Sequence, residues 1–202
     1  MANVNTPFGL KPIEYAGGAP WNGQVRRYCI PSADTNAYAI GDPVKLAGSS
    51  DANGVATVAI CAAGGGAAAP ILGVIVGAGG VTYGGMSADP GNLNTTVIPA
   101  TKTKDYYVLV ADDPNIVFEI QEIGTGTALA AAAVGLNANF VAGTNTGYCS
   151  GFLLGNDAEA TTATLDLKLL GLVQRPGNEF GAYAKWKVQI NNHQFRAGVA
   201  GL

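Results

Sequence analysis

The sequence predicts a mainly β protein, a sandwich or barrel with at most one short helix. Apolar and β-branched residues come in short runs, as in Val25–Ile30, Ile71–Val76, Tyr106–Val110, Ile116–Gln121 and Tyr183–Ile190. Between the runs fall most of the 29 glycines and 10 prolines of the 202-residue chain, well above the usual share. One segment alone, Thr127–Val134 (TALAAAAV), suits a helix, with Thr127 as N-cap and Gly135 as stop. Many short strands, many turns and little helix belong to the all-β architectures.

Residues 1–24 hold Pro7, Pro12, Pro20 and four glycines, which exclude a useful helix. Phe8, Leu10, Ile13, Tyr15 and Trp21 lie among them, and a disordered tail is poor in such residues. The segment is expected as an extended arm, docked on its own body or on a neighbour. Residues 25–190 form the body, beginning with the strand Val25–Ile30. Short strands at Tyr38–Ile40 and Val44–Leu46 follow, and Asn53-Gly54 signals a hairpin into Val55–Cys61. Residues 61–69 form a glycine-alanine loop ahead of the buried strand Ile71–Val76.

The stretch Tyr106–Glu122 organises the reading. Two strand-forming runs flank Ala111-Asp112-Asp113-Pro114-Asn115, where Pro114 sets φ and Asp113 and Asn115 bond nearby backbone. Strand alternation sends Phe118 and Ile120 one way and Val117, Glu119 and Gln121 the other. Strands resume at Asn137–Val141 and Tyr148–Leu154. In Thr162–Val173 alternation turns Leu165, Leu167 and Leu169 inward and Asp166 and Lys168 outward; in Tyr183–Ile190 it sets Lys185 and Lys187 against Trp186 and Val188. Residues 191–202 form a C-terminal tail, a second arm.

Charged residues make up 12% of the chain, about half the usual share, and the net charge is −3. Apart from Arg26-Arg27 the basic residues are scattered, which argues against a nucleic-acid partner. No charge occurs between Asp51 and Asp89, yet repeated glycines and Pro70 interrupt the stretch, so no membrane-spanning helix is expected. The N-terminus shows no secretory signal. Cys29, Cys61 and Cys149 lack metal-ligand spacing and read as packed thiols.

Each candidate chemistry meets an obstacle. Val74–Thr82 imitates a dinucleotide-binding turn, but Thr82 stands where the third glycine belongs, and the glycines and Pro90 that follow deny the phosphate its helix. Asp112, Asp113, Glu119 and Glu122 form the densest acidic cluster and raise the question of a glycosidase pair or a calcium site. Carboxylates in turns and on strand faces are ordinarily solvent-exposed, and no calcium-loop spacing is present. His193, the single histidine, lies in the tail, and no G-x-S-x-G accompanies it. The expectation is no catalytic residue, no metal and no cofactor. Aromatic and arginine residues near the ends match what interfaces enrich, which makes Phe8, Leu10, Trp21, Arg26, Arg27, His193, Phe195 and Arg196 the candidate contact residues. Trp186, within a regular strand, is expected in the core.

Several blocks, in order over almost the whole chain, resemble the head decoration (capsid cement) proteins of tailed bacteriophages. They are Asn5–Leu10 with Pro12, Ala19–Gly23, Arg27-Tyr28, Gly41–Val44, Ala111–Pro114, Phe118–Glu122, Gly135–Asn139, and Tyr183–Trp186 running on to Ile190, Asn191 and His193. The resemblance implies a jelly-roll-like β-sandwich on the outer surface of the virion head, made in the host cytoplasm. It also implies binding to the major capsid protein and to itself, as dimer or trimer, so as to stabilise the shell. It brings no catalytic residue. Within that reading Glu119 and Glu122 are polar surface or capsid contacts. The alternative is a carbohydrate-binding β-sandwich on the virion, with Tyr83, Tyr106 or Tyr107 as stacking platforms.

Overall fold

The computed structural model describes residues 3–64, 69–78 and 97–196. Tyr83, the Gly79-Gly80-Val81-Thr82 part of the dinucleotide lookalike and residues 197–202 of the tail lie outside the described residues. The strands are β1 (Lys11–Tyr15), β2 (Arg26–Ile30), β3 (Tyr38–Ala39), β4 (Pro43–Ser50), β5 (Ala56–Ile60), β6 (Gly73–Ala78), β7 (Val97–Ile98), β8 (Tyr106–Ala111), β9 (Ile116–Gln121), β10 (Asn137–Ala138), β11 (Phe140–Val141), β12 (Leu153–Leu154), β13 (Leu167–Leu172) and β14 (Lys185–Ile190). The mainly β expectation holds.

Five of them close a barrel in the order β2-β5-β4-β6-β8. Its interior is filled by Ile30, Tyr38, Val44, Val58, Leu72, Ile75, Val108 and Val110, all buried. The β4–β5 hairpin turns as Asn53-Gly54 predicts: Asp51 Oδ1 accepts the N–H groups of Asn53 and Val55, each at 2.8 Å. Tyr107 adds its phenol to Asp51 Oδ2 at 2.5 Å.

The second body is an antiparallel sheet in the order β1-β9-β14-β13-β10. Register places Phe118 opposite Val188 and Ile120 opposite Trp186, while Leu169 meets Val188 and Leu167 meets Ile190. That face packs onto the outside of the barrel, where Ile71, Val74 and Ala111 meet it in one continuous core. Each fully buried side chain of this size contributes about 1.5–3 kcal/mol.

Strands β8 and β9 do not pair with each other. β8 lies in the barrel between β2 and β6, and β9 lies in the sheet between β1 and β14. Ala111–Asn115 is therefore the corner where the chain leaves one body for the other.

Both ends dock on their own body. Within residues 1–24, β1 pairs with β9, and Trp21 N–H donates to Ile13 O at 3.1 Å. Residues 3–6 cross the outer face of the sheet: Thr6 N–H donates to Gln121 Oε1 at 2.8 Å, and Lys185 Nζ donates to Val4 O at 2.6 Å. At the other end Asn192 O and Gln194 N–H bracket Ile71.

Several expectations are corrected. Thr127–Val134 contains only a 3₁₀ turn at Ala131–Ala133, with no side-chain cap. Leu129 N–H donates to Glu122 Oε1 instead of joining a helix, Ala133 and Val134 N–H make short i→i−3 bonds to Ala130 and Ala131, and Gly135 N–H, just past the segment, donates to Leu169 O. Every residue of β9 is buried, because both sheet faces are covered. Glu119 and Glu122 are thus interior groups and not surface ones. Asp166, expected outward, is buried too and accepts Gly64 N–H at 3.2 Å.

A tight crossing of backbones ties the N-terminal segment to the barrel. Leu10 N–H donates to Gly41 O at 3.0 Å. Gly41 has φ +98°, and a Cβ there would stand 2.2 Å from Phe8 O. Gly41→Ala is expected to cost at least about 2 kcal/mol, whereas Gly54→Ala, at φ +80° with open space around it, costs about 1 kcal/mol. Thermal melting of the two variants checks this: at roughly 2–4 °C per kcal/mol, Gly41→Ala melts lower.

Candidate interaction surface

The acidic cluster is dispersed through the fold, each member with its own task. Asp112 accepts Tyr28 Oη at 2.6 Å and Arg26 Nη1 at 3.2 Å, fastening the corner to β2. Burial first, and Asp112 second, push the Tyr28 phenol far above its ordinary pKa, so it stays a donor. Asp113 Oδ1 accepts Asn115 N–H at 2.8 Å inside the turn. Glu119, on the outer sheet face, is clamped by Arg175 at 2.6 Å.

Glu122 is the most enclosed of the four. Its Oε1 accepts Leu129 N–H at 2.8 Å and Asn156 Nδ2 at 3.2 Å, and its Oε2 accepts Trp186 Nε1 at 2.9 Å. Burial pushes its pKa up, and the three donors pull against that. These bonds link β9, β14 and the loops around Leu129 and Asn156. Every one of these donors belongs to the protein's own frame.

His193 is fully buried. Its Nδ1 accepts Phe195 N–H at 3.0 Å, which leaves the proton on Nε2, where no acceptor is present among the described residues. Burial, then Arg196, lower its pKa to about 4, while Asp113 opposes the shift. The ring props the turn that presents Phe195 and Arg196.

The candidate contact residues gather in two places. Arg26, Phe195 and Arg196 meet around the corner. Arg26 lies over the Phe195 ring at 5.5 Å from its centroid, and Arg196 Nη2 donates to Pro114 O at 2.9 Å. Phe195 is 44% exposed beside a cleft of about 340 Å³ that Gln24, Asp112, Asp113 and Asn115 complete. Arg27 is also exposed, one residue along β2 and opposite the exposed Leu109. Phe8, Leu10 and Trp21 meet elsewhere, along a separate apolar cleft of about 310 Å³. Leu10 and His193 are interior residues and offer no contact surface; they position their neighbours.

Sequence reasoning missed Asp112 as the partner of Arg26 and Tyr28, because the three are brought together only by β2–β8 pairing. It also missed the exposed Tyr148 and Phe180. Of the tyrosines proposed as sugar platforms, Tyr107 is buried with its hydroxyl engaged by Asp51, and Tyr106 is half-buried against the barrel core. Cys29 and Cys61 are buried, and burial raises the Cys29 thiol pKa to about 11. Among the described residues no three metal-ligating side chains cluster, and no helix is long and apolar enough to cross a membrane. No family model, curated protein or solved structure matches the chain.

Two outcomes are expected from this geometry. Glu122→Leu leaves three donors unpaired, among them the Trp186 indole, and costs about 3 kcal/mol or more in chemical denaturation. A histidine with a lowered pKa stabilises the fold fully above its unfolded value near 6.5, and that stabilisation is lost as pH falls through about 4. His193→Asn keeps an acceptor for Phe195 N–H but does not titrate. Its stability falls less steeply over that window, by up to about 1.4 kcal/mol per pH unit, measured by urea unfolding at stepped pH.

Proposed function

We propose that this protein is a structural, non-enzymatic component of a tailed-phage particle, binding the outside of the head and bridging subunits of the major capsid protein. The observation that carries the reading is the Arg26–Phe195 corner. It exposes an arginine-aromatic pair while the neighbouring carboxylates are spent on holding the corner together. Arginine and aromatic side chains are enriched at protein interfaces, and arginine is among the residues that carry most of the binding energy. The order of sequence blocks that resemble those of head decoration proteins supports the major capsid protein as the partner, and the low charge of the chain suits a surface covered after assembly. Many identical copies, each with a modest contact, give a shell large kinetic resistance. Self-association as a dimer or trimer belongs to the same proposal.

Of the platforms of the carbohydrate-binding alternative, Tyr107 is buried and Tyr106 half-buried, while Tyr83 lies outside the described residues.

Quantitative mass spectrometry of purified particles tests the class directly. The expected result is a copy number comparable to that of the major capsid protein; absence from particles overturns the reading. Phe195→Ala is expected to melt within a few degrees of the parent, since the ring is partly exposed. Its affinity for shells lacking the protein should fall about tenfold or more in a sedimentation assay.

A further inference from the structure

The chain holds two Asn-Gly pairs, Asn22-Gly23 and Asn53-Gly54. Such a pair can modify itself, because glycine has no Cβ to shield its backbone nitrogen from the side-chain amide before it. Both pairs are exposed, and both glycines are left-handed, with φ +83° and +80°. Open space surrounds each glycine. What differs is how each asparagine is held.

Asn22 is fastened at its amide oxygen. Its Oδ1 accepts the Tyr15 hydroxyl at 2.9 Å and Gln24 N–H at 3.2 Å, and both bonds resist a swing of Cγ toward Gly23 N. Asn53 is held by its backbone instead, its N–H donating to Asp51 Oδ1 at 2.8 Å. Its side-chain amide gives Asp51 and Tyr107 only the least of the hydrogen bonds that act on them. The neighbouring Gly54 N–H donates to Asp51 O at 3.2 Å, at the long end of the range.

We propose that Asn53 is a self-deamidation site whose product loosens the β4–β5 hairpin. The Gly54 nitrogen attacks Asn53 Cγ, and the new N–Cγ bond closes a succinimide ring. The side-chain nitrogen departs as ammonia, taking the proton from Gly54 N. Water, the sole co-reactant, then adds across either imide C–N bond and leaves aspartate or isoaspartate. Either product sets a carboxylate beside Asp51, and isoaspartate also lengthens the turn by a methylene. Asp51 orders this tip by accepting Asn53 and Val55 N–H, and it holds the Tyr107 hydroxyl of β8. Like charge and altered spacing weaken those bonds, so a change at the tip reaches the barrel wall. The inference is independent of the capsid reading.

Peptide mapping by mass spectrometry of the full chain, incubated at mildly alkaline pH, tests this. Labelling with an isoaspartate carboxyl methyltransferase tells the two products apart. In the folded chain Asn53 is expected to convert about threefold or more faster than Asn22, the difference set by the bonds that hold the Asn22 amide. In the chain unfolded by guanidinium the two should convert at similar rates, since the dipeptide is the same. The aged parent should melt about 2 °C or more below the fresh protein, whereas Asn53→Ser, aged alongside, keeps its melting temperature. Retention of the amide at Asn53 in the folded chain, or conversion of Asn22 at the same rate as Asn53 there, would overturn the assignment. Equal melting of the aged parent and aged Asn53→Ser would overturn the coupling to the barrel.

Discussion

The corner Asp112–Asn115 is the constraint on which the architecture depends. The chain passes from barrel to sheet there without a linker, so Ala111 and Ile116, at either end of the turn, belong to the same core. Such a crossing leaves backbone groups exposed to an apolar junction, and they must be satisfied locally. Asp113 does this from within the turn by accepting Asn115 N–H, Asp112 ties the turn to Tyr28 and Arg26 of β2, and Pro114 O accepts from both Gln189 and Arg196. Those last two bonds recruit β14 and the C-terminal segment to the same point. The geometry of the corner thus decides where the segment up to Arg196 lies.

Polar groups in the interior follow the same logic. Glu122 takes three donors from separate parts of the chain, and Glu119, Gln121 and Lys185 take partners from residues 3–6 and Arg175. Each removes a charge or an amide from the surface while joining distant segments. This accounts for a chain with few charges whose surface has fewer still. A buried carboxylate that is fully bonded holds one arrangement against others, since any shift leaves donors unpaired.

The two docked ends shape the surface in different ways. The C-terminal segment, propped by His193, sets Phe195 against Arg26 and makes a polar, aromatic projection suited to a protein partner. The N-terminal segment, pinned at Gly41, forms one wall of an apolar cleft against the barrel. Neither surface exists in either end alone, because each needs the barrel as its second wall. Asp112, bonded to Arg26 and Tyr28, fastens the first of these surfaces to β2.

What the sequence by itself determined was local. Runs such as Ile116–Gln121 specify strand through β-branching, Asn53-Gly54 and Asp113-Pro114 specify turns through backbone geometry, and Trp186 announces the core through its place in an alternating run. The tertiary structure decided pairing and burial. Alternation tells which side chains share a face but not whether both faces are covered, so Glu119, Glu122 and Asp166 became interior groups without any change in local pattern. Thr127–Val134 has helical composition, yet Glu122 claims the Leu129 N–H inside it and Leu169 the Gly135 N–H just beyond it, and long-range partners outweigh a propensity worth only tenths of a kcal/mol per residue. The meeting of Arg26 with Asp112 and Phe195 rests on strand pairing across distant sequence, and that is a property no single stretch can encode.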